Sequence, residues 1–413
     1  MLFRWIPRAA FIVLGATGLL CAQEANYGFS IPVTLSGSAM YTHRLQSEDP
    51  GASPATAGFR GVLYPTLKLG SHWFGYAAVQ LEMAPYFYYD AFESEHEFYS
   101  NVLQAFIGYS FQVREATMVV KAGRLSSAFG SFPLRYDDKD NPLLDQPLPY
   151  ITELPFAANQ LPCGVNDFGS HYYGGSSGYA CWYSKEIEPG LTPVTLYGLP
   201  GVEADFSGYH FDGRIQITSG SPAYPQPFRR GAQYAQWTAG GGYQIRQGFR
   251  VGVSGFRGPY LDPEVVPWLP AGTSVRDFPA SGVGADVQWA HGRWSANGEW
   301  QRFRFDQPNF TEPPSLTAGY AELKAVLTPR YYLAGRVGWI QSGSIRDRSG
   351  QSASEFFPTM GSYEIGAGCW LNRYQLLKVG YEWLEIDYQR GTRNNVVGVQ
   401  LVTSFRPVSW AFR

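Results

Sequence analysis

The chain has 413 residues, with 47 Gly, 28 Tyr, 27 Phe and 12 Trp but only 16% charged residues, a balance foreign to soluble multidomain enzymes. With 32 basic against 34 acidic residues there is no positive field to gather phosphates, which argues against a nucleic-acid partner. Beyond the N-terminus no apolar run approaches the roughly 18 residues of a membrane-crossing helix, and the mean hydropathy of −0.21 agrees.

Arg4 and Arg8 precede the apolar run Ala9 to Leu20, followed by Cys21-Ala22-Gln23. This is the order of a secretory signal, so residues 1–22 are expected to be removed and 23–413 to form the exported protein. A membrane anchor would need a longer apolar run, and a lipoprotein signal would need a small residue where Leu20 stands. In an exported chain, Cys163 and Cys181 flank a Gly/Ser/Tyr-rich stretch and form a disulfide candidate. A zinc site is the rival, but only His171 lies between them and no CxxC occurs, so no metal or cofactor is expected.

From Tyr27 onward, segments of about ten residues alternate apolar and polar with period two. In Tyr209 to Thr218, for example, Tyr209, Phe211, Ile215 and Ile217 share one face, while His210, Asp212, Arg214, Gln216 and Thr218 share the other. Links alternate too: tight ones near 70–72, 113–117, 247–248, 291–292, 329–330 and 372–373 interleave with long ones near 44–57, 90–101, 131–190, 221–233, 263–281, 307–318 and 345–362. This predicts an all-β, transmembrane antiparallel barrel of about sixteen strands, with short turns on the periplasmic side and long loops outside. Lipid offers backbone groups no hydrogen bonds, so strands cross it only in a closed barrel with an apolar outside. Aromatic residues near strand ends, such as Trp73, Trp294, Tyr331-Tyr332 and Trp410, suit the membrane interface. Cys369 falls on the lipid side, in step with Ile365 and Ala367. The alternation slips near Phe256-Arg257, Trp300 to Arg304, Trp383 and Pro407, and a bulge or a different register would each account for the change.

The fifth strand is expected over Met118 to Gly130, leading into Ser131-Phe132-Pro133-Leu134-Arg135-Tyr136-Asp137-Asp138-Lys139-Asp140-Asn141-Pro142. Here the chain resembles bacterial outer-membrane porins of about sixteen strands. A weaker local likeness to phosphate-selective-type porins lies in Gly123-Arg124, Ala128-Phe129-Gly130 and Asn141-Pro142. The resemblance implies that the long third external loop, 131–190, folds into the lumen as a constriction. It also implies an outer-membrane location, contact with membrane lipid, passive diffusion of small hydrophilic solutes or ions, and a homotrimer, although no strand marks an interface.

A barrel this wide needs a narrower zone to select solutes. The loop supplies Asp137, Asp138, Asp140 and Asp145 with Arg135 and Lys139, an acid excess that would favour cations. Inward Arg60, Lys68, Arg124, Arg214, Arg336 and Lys378 would oppose it across an eyelet. The phosphate-specific basic ladder is not found, so anion specificity is not carried over. Two other functions compete: an outer-membrane barrel enzyme, for which His210 is the mid-strand candidate, and a secreted β-rich binding protein. No catalytic motif such as HExxH or GxSxG is present, and the chain is expected not to be an enzyme.

Overall fold

The computed structural model describes residues 27–43, 53–83, 86, 98–172, 180–183, 190–220, 223, 235–387 and 392–412. The expected signal segment 1–22 and the loop charges Lys185, Glu186 and Glu188 lie outside the described residues.

Strands follow wherever polarity alternates, because each must present one face to lipid and one to the interior. Sixteen make the wall: β1 (Tyr27–Thr42), β2 (Ala55–Leu63, continuing as Thr66–Leu69), β3 (Trp73–Met83), β4 (Phe98–Val113), β5 (Ala116–Ser126), β6 (Tyr197–Gly208), β7 (Phe211–Thr218) and β8 (Gln236–Arg246). The second half is β9 (Phe249–Pro259), β10 (Pro279–His291), β11 (Trp294–Phe305), β12 (Ser315–Val326), β13 (Tyr331–Ser342), β14 (Thr359–Trp370), β15 (Gln375–Asp387) and β16 (Thr392–Phe412). Each pairs antiparallel with its sequence neighbours, and β1 pairs with β16 from Tyr27↔Phe412 to Thr42↔Val396. The sheet therefore closes and has no free edge. β2 is interrupted at Tyr64-Pro65, where proline has no amide to donate.

The two faces differ as lipid requires. On β7, Ile215 and Ile217 are 62% and 53% exposed, while Gln216 and Thr218 are 0% and 1% exposed. A soluble sandwich buries its apolar faces against each other, whereas here the apolar face is the outside of a closed cylinder. Exposed Trp73, Trp294, Tyr331 and Trp410 ring the short-turn end, and Trp237, Trp339 and Tyr363 stand nearer the long-loop end. Cys369, a free cysteine, shares the outward face of β14 with Tyr363 and Ile365.

Several boundaries are corrected. The fifth strand ends at Ser126 rather than Gly130, since Ala128, Phe129 and Gly130 turn inward to contact the inner faces of β7 and β9. Tyr209 and His210 are the turn between β6 and β7, with φ of 52° and 68°. Both turn residues take the left-handed region that matches strand twist, a position normally held by Asn or Gly, so the sequence hid it.

At three of the four slips in the pattern there is no bulge. No register shift occurs at Phe256-Arg257, at Trp300 to Arg304 or at Trp383. Phe256, Phe303, Phe305 and Leu384 simply face inward, because the outer half of the lumen holds an apolar core for them to join. The fourth is present: Ile31 pairs with Val408 and Val33 with Phe405, so Arg406 and Pro407 together oppose Pro32.

Candidate pore and its inserted loop

After β5 the chain crosses the interior, and its anchoring can be followed strand by strand. The Ala128 amide donates to Gln216 Oε1 of β7 at 3.0 Å and the Gly130 amide to Ser254 Oγ of β9 at 3.1 Å. Glu299 of β11 then gathers donors from several directions. Its Oε1 accepts from the amides of Ser131 (3.1 Å) and Phe132 (2.7 Å), from Ser131 Oγ (2.8 Å) and from the Tyr320 hydroxyl (2.8 Å). Its Oε2 accepts from the Tyr150 hydroxyl at 2.6 Å. Gly130 has φ +74°, and a Cβ there would collide with the Tyr150 hydroxyl, so a glycine is required where the loop turns over this carboxylate.

Phe129, Phe132 and Phe156 form the apolar side of the loop. They meet the inward phenylalanines of the wall, with ring centroids 5.1 Å apart for Phe129 and Phe256, 5.6 Å for Phe129 and Phe303, and 5.5 Å for Phe156 and Phe305. Burying these rings explains why the inner face of β9 to β15 turns apolar toward the long-loop end.

The acidic stretch that follows is held by buried bases. Arg60 Nη1 of β2 donates to Asp138 Oδ1 at 3.0 Å, and the Tyr86 hydroxyl donates to Asp138 Oδ2 at 3.1 Å. Asp137 accepts from the hydroxyls of Tyr64 and Thr34. Lys378 of β15 donates to three loop carbonyls, those of Asp138 (2.8 Å), Asn141 (3.1 Å) and Leu143 (2.9 Å). Arg336 of β13 donates to the Asp145 carbonyl (2.8 Å) and Asn141 Oδ1 (2.7 Å), and it pairs with Glu322 (2.7 Å) and Glu364 (3.1 Å). Arg135 bridges Glu322 at 3.0 Å and the Tyr320 hydroxyl at 2.9 Å.

The expected field across an open eyelet is thus corrected. Arg60, Lys378 and Arg336 do not face the loop acids over a gap; they touch the loop, and Asp137, Asp138 and Asp145 are buried with it. A buried charge must be paired or hydrogen-bonded, and this loop does both: Asp138 pairs with Arg60, Asp137 takes hydroxyl donors, and Lys378 and Arg336 hold the loop carbonyls. Asp140 differs. Its side chain still reaches water, yet crowding by loop and wall removes enough hydration to raise its carboxyl to about 6, against the opposing pull of Lys139.

The wall of β5 to β10 near the short turns carries a second set of charges, of which Lys121, Asp205, Asp212 and Arg250 reach water while Glu203 and Asp286 are buried behind them. Lys121 lies 2.6 Å from Glu203 and 2.5 Å from Asp205, and Arg250 lies 2.6 Å from both Asp212 and Asp286. Arg214 of β7 sits in the inward row between Asp212 and Gln216 and has no ion pair among the described residues. Arg124 stands apart, partly buried at the long-loop end of β5, with Nη2 3.5 Å from Asn101 Oδ1 and packed over Gly198. Of the expected constriction residues, Arg135, Asp137, Asp138, Asp145, Arg336 and Lys378 are therefore brought into one network. Asp140 lies at its edge, and Arg124 and Arg214 lie elsewhere. Glu299 was missed, although its polar-inward step with Asn297 and Gln301 was visible in the sequence.

Cys163 is disulfide-bonded, and the short antiparallel pair Gln160–Pro162 and Ala180–Tyr183 brings its backbone beside the strand that carries Cys181.

A closed sixteen-stranded barrel with an apolar belt, a polar interior and a chain segment fastened across that interior has the fold of the outer-membrane porins. Among solved structures it is similar to the outer membrane channel DcaP of Acinetobacter baumannii, at 10% identity over 92% of this chain and 98% of that one, TM-score 0.54. It is also similar to OmpF of Salmonella typhi, solved with daunomycin, at 11% identity over 91% and 97%, TM-score 0.52. A third is OmpT of Vibrio cholerae expressed in the outer membrane, at 9% identity over 92% and 98%, TM-score 0.50. No protein-family model and no curated protein matches the sequence. At these identities the likeness is one of fold.

Proposed function

We propose that the chain is a porin-like outer-membrane channel for passive diffusion of small hydrophilic solutes or ions. The observation that carries this reading is the water-accessible row of Lys121, Asp205, Arg214, Asp212 and Arg250, backed by Asp286, along the wall that the acidic part of the loop leaves free. A sixteen-stranded barrel is wide enough for an aqueous path once its loop is docked to one side. A solute passing along that row exchanges water for alternating cations and anions, a wall suited to neutral polar solutes and small ions of either sign. Asp138 is paired with Arg60, Asp137 is held by the Tyr64 and Thr34 hydroxyls, and Asp145 is buried with them, so these acids are set back from the path and the channel is weakly selective.

The enzyme reading loses its strand-borne histidine, since His210 belongs to a turn at the short-turn end. We also assign Cys181 as the partner of Cys163, and a homotrimer on the resemblance to porins. Liposome swelling with sugars of graded size tests the function. Swelling that falls off with solute size supports it, and folded barrels that admit no sugar or amino acid would overturn it.

A further inference from the structure

The outward face of a membrane barrel carries charge only toward its rims, and β9 and β11 turn three arginines outward near their long-loop ends. Arg257, Arg302 and Arg304 are all exposed, in step with the lipid-facing residues of their strands. They are not there to fill the interior, because the residues between them, Phe256, Phe303 and Phe305, do that.

The register places them on adjoining rows. In the outermost row Trp237, Arg257, Ser281, Arg304 and Ser315 are successive cross-strand partners. One step toward the membrane centre the row is Gly255, Val283, Arg302 and Thr317, and one step further it is Val253, Ala285, Trp300 and Gly319. Neighbouring strands are about 4.8 Å apart and alternate residues of one strand about 7 Å apart, so Arg257 and Arg304 flank Ser281 at about 10 Å and Arg302 lies one row below. Side chains of that length converge on a single group seated over Ser281. No acidic residue occurs in these rows. Arg304 is paired with Asp306 at 2.7 Å, while Arg257 and Arg302 have no ion pair among the described residues. Directly beneath the arginines, Val253, Val283 and Trp300 are exposed, and Gly255, Ala285 and Gly319 leave the surface between them shallow.

We propose that this patch binds a membrane lipid whose headgroup is a net-anionic phosphate, with no cationic group to cancel it. The guanidinium groups and the hydroxyls of Ser281, Ser315 and Thr317 hold the phosphate, and the acyl chains lie on the apolar floor below. Arginine recognises phosphate through paired N–H donors, and the headgroup level of a bilayer is where such a charge is tolerated. The apolar floor in line with the cations is what commits the site to a lipid rather than to free phosphate.

The test uses the full barrel in a neutral detergent, titrated with dioctanoyl phosphatidic acid, dioctanoyl phosphatidylcholine and inorganic phosphate, with bound lipid counted by native mass spectrometry. The site predicts saturable binding of phosphatidic acid, little of phosphatidylcholine, and no displacement by equimolar inorganic phosphate. The double variant Arg257→Gln/Arg302→Gln should weaken phosphatidic acid binding at least tenfold, while Arg330→Gln at the short-turn end should leave it unchanged. Equal affinity for the two lipids, displacement by free phosphate, or undiminished binding by the double variant would each overturn the proposal. The lipid comparison on the parent barrel needs no variant and decides the matter even if the double variant assembles poorly.

Discussion

Replacing Lys378 by methionine keeps the side-chain length and removes the ammonium group that holds the loop at three points. In the parent that group is 1% exposed and donates to the carbonyls of Asp138, Asn141 and Leu143 at 2.8, 3.1 and 2.9 Å. A hydrogen bond to a charged group contributes about 1.5–3 kcal/mol, and three on one ammonium are not additive. Each carbonyl left buried without its donor costs about 1–3 kcal/mol, so loss of the ammonium costs about 3–5 kcal/mol after partial relaxation. The carbonyls belong to the loop and the ammonium to the wall, so the loss falls on docking of the loop rather than on closure of the barrel. At about 1.4 kcal/mol per factor of ten, the undocked population should rise by roughly two to three and a half orders of magnitude. Undocking exposes the peptide bonds after Arg135 and Lys139 to trypsin. Lys378→Met should therefore speed cleavage of the native barrel at these bonds and add open-state noise or larger steps in a planar bilayer, with the folded barrel retained on gels. Cleavage and conductance identical to the parent would refute the claim that this lysine fastens the loop.

Three further outcomes follow from the same geometry. Deleting 137–150 removes four aspartates and one lysine and strips Arg60, Arg336 and Lys378 of partners, so conductance should rise and the reversal potential in a salt gradient should move toward anions. Lowering the pH from 7.5 to 5 should shift the reversal potential the same way. Asp140, raised to about 6, is ionised at the upper pH and mostly neutral at the lower one, and Asp140→Asn should abolish its part of the shift. The raised carboxyl also means that ionisation disfavours the docked loop, so this residue's contribution to docking weakens as pH rises from its ordinary range through 6. Ile215→Arg places a charge on the lipid face of β7 and should cost about 2–4 kcal/mol, seen as a lower midpoint in urea unfolding from lipid vesicles, whereas Gln216→Ala should act through the loop instead.

The wall was legible because each strand repeats one physical demand, apolar to lipid and polar to the interior, and period two survives noise. Legibility failed where the inside stops being polar. Phe303, Phe305 and Leu384 face inward to pack against the loop, and Arg257, Arg302 and Arg304 face outward, so the familiar polarity inverts without any change of register. An inverted face and a bulge give the same string of letters. The turn at Tyr209-His210 was hidden by residue types that seldom take positive φ. In the lumen, the charged residues themselves were found, but not their pairing. The contact of Arg60 with Asp138 joins positions 78 residues apart, and that of Lys378 with the same residue joins positions 240 apart, which no local pattern encodes.

The most direct measurement is the current through single purified barrels in a planar bilayer, with folding verified by altered gel mobility on heating. A weakly selective channel gives discrete, ohmic steps in the parent and larger steps after deletion of 137–150. Folded barrels that carry no current either with or without the loop would contradict a channel function.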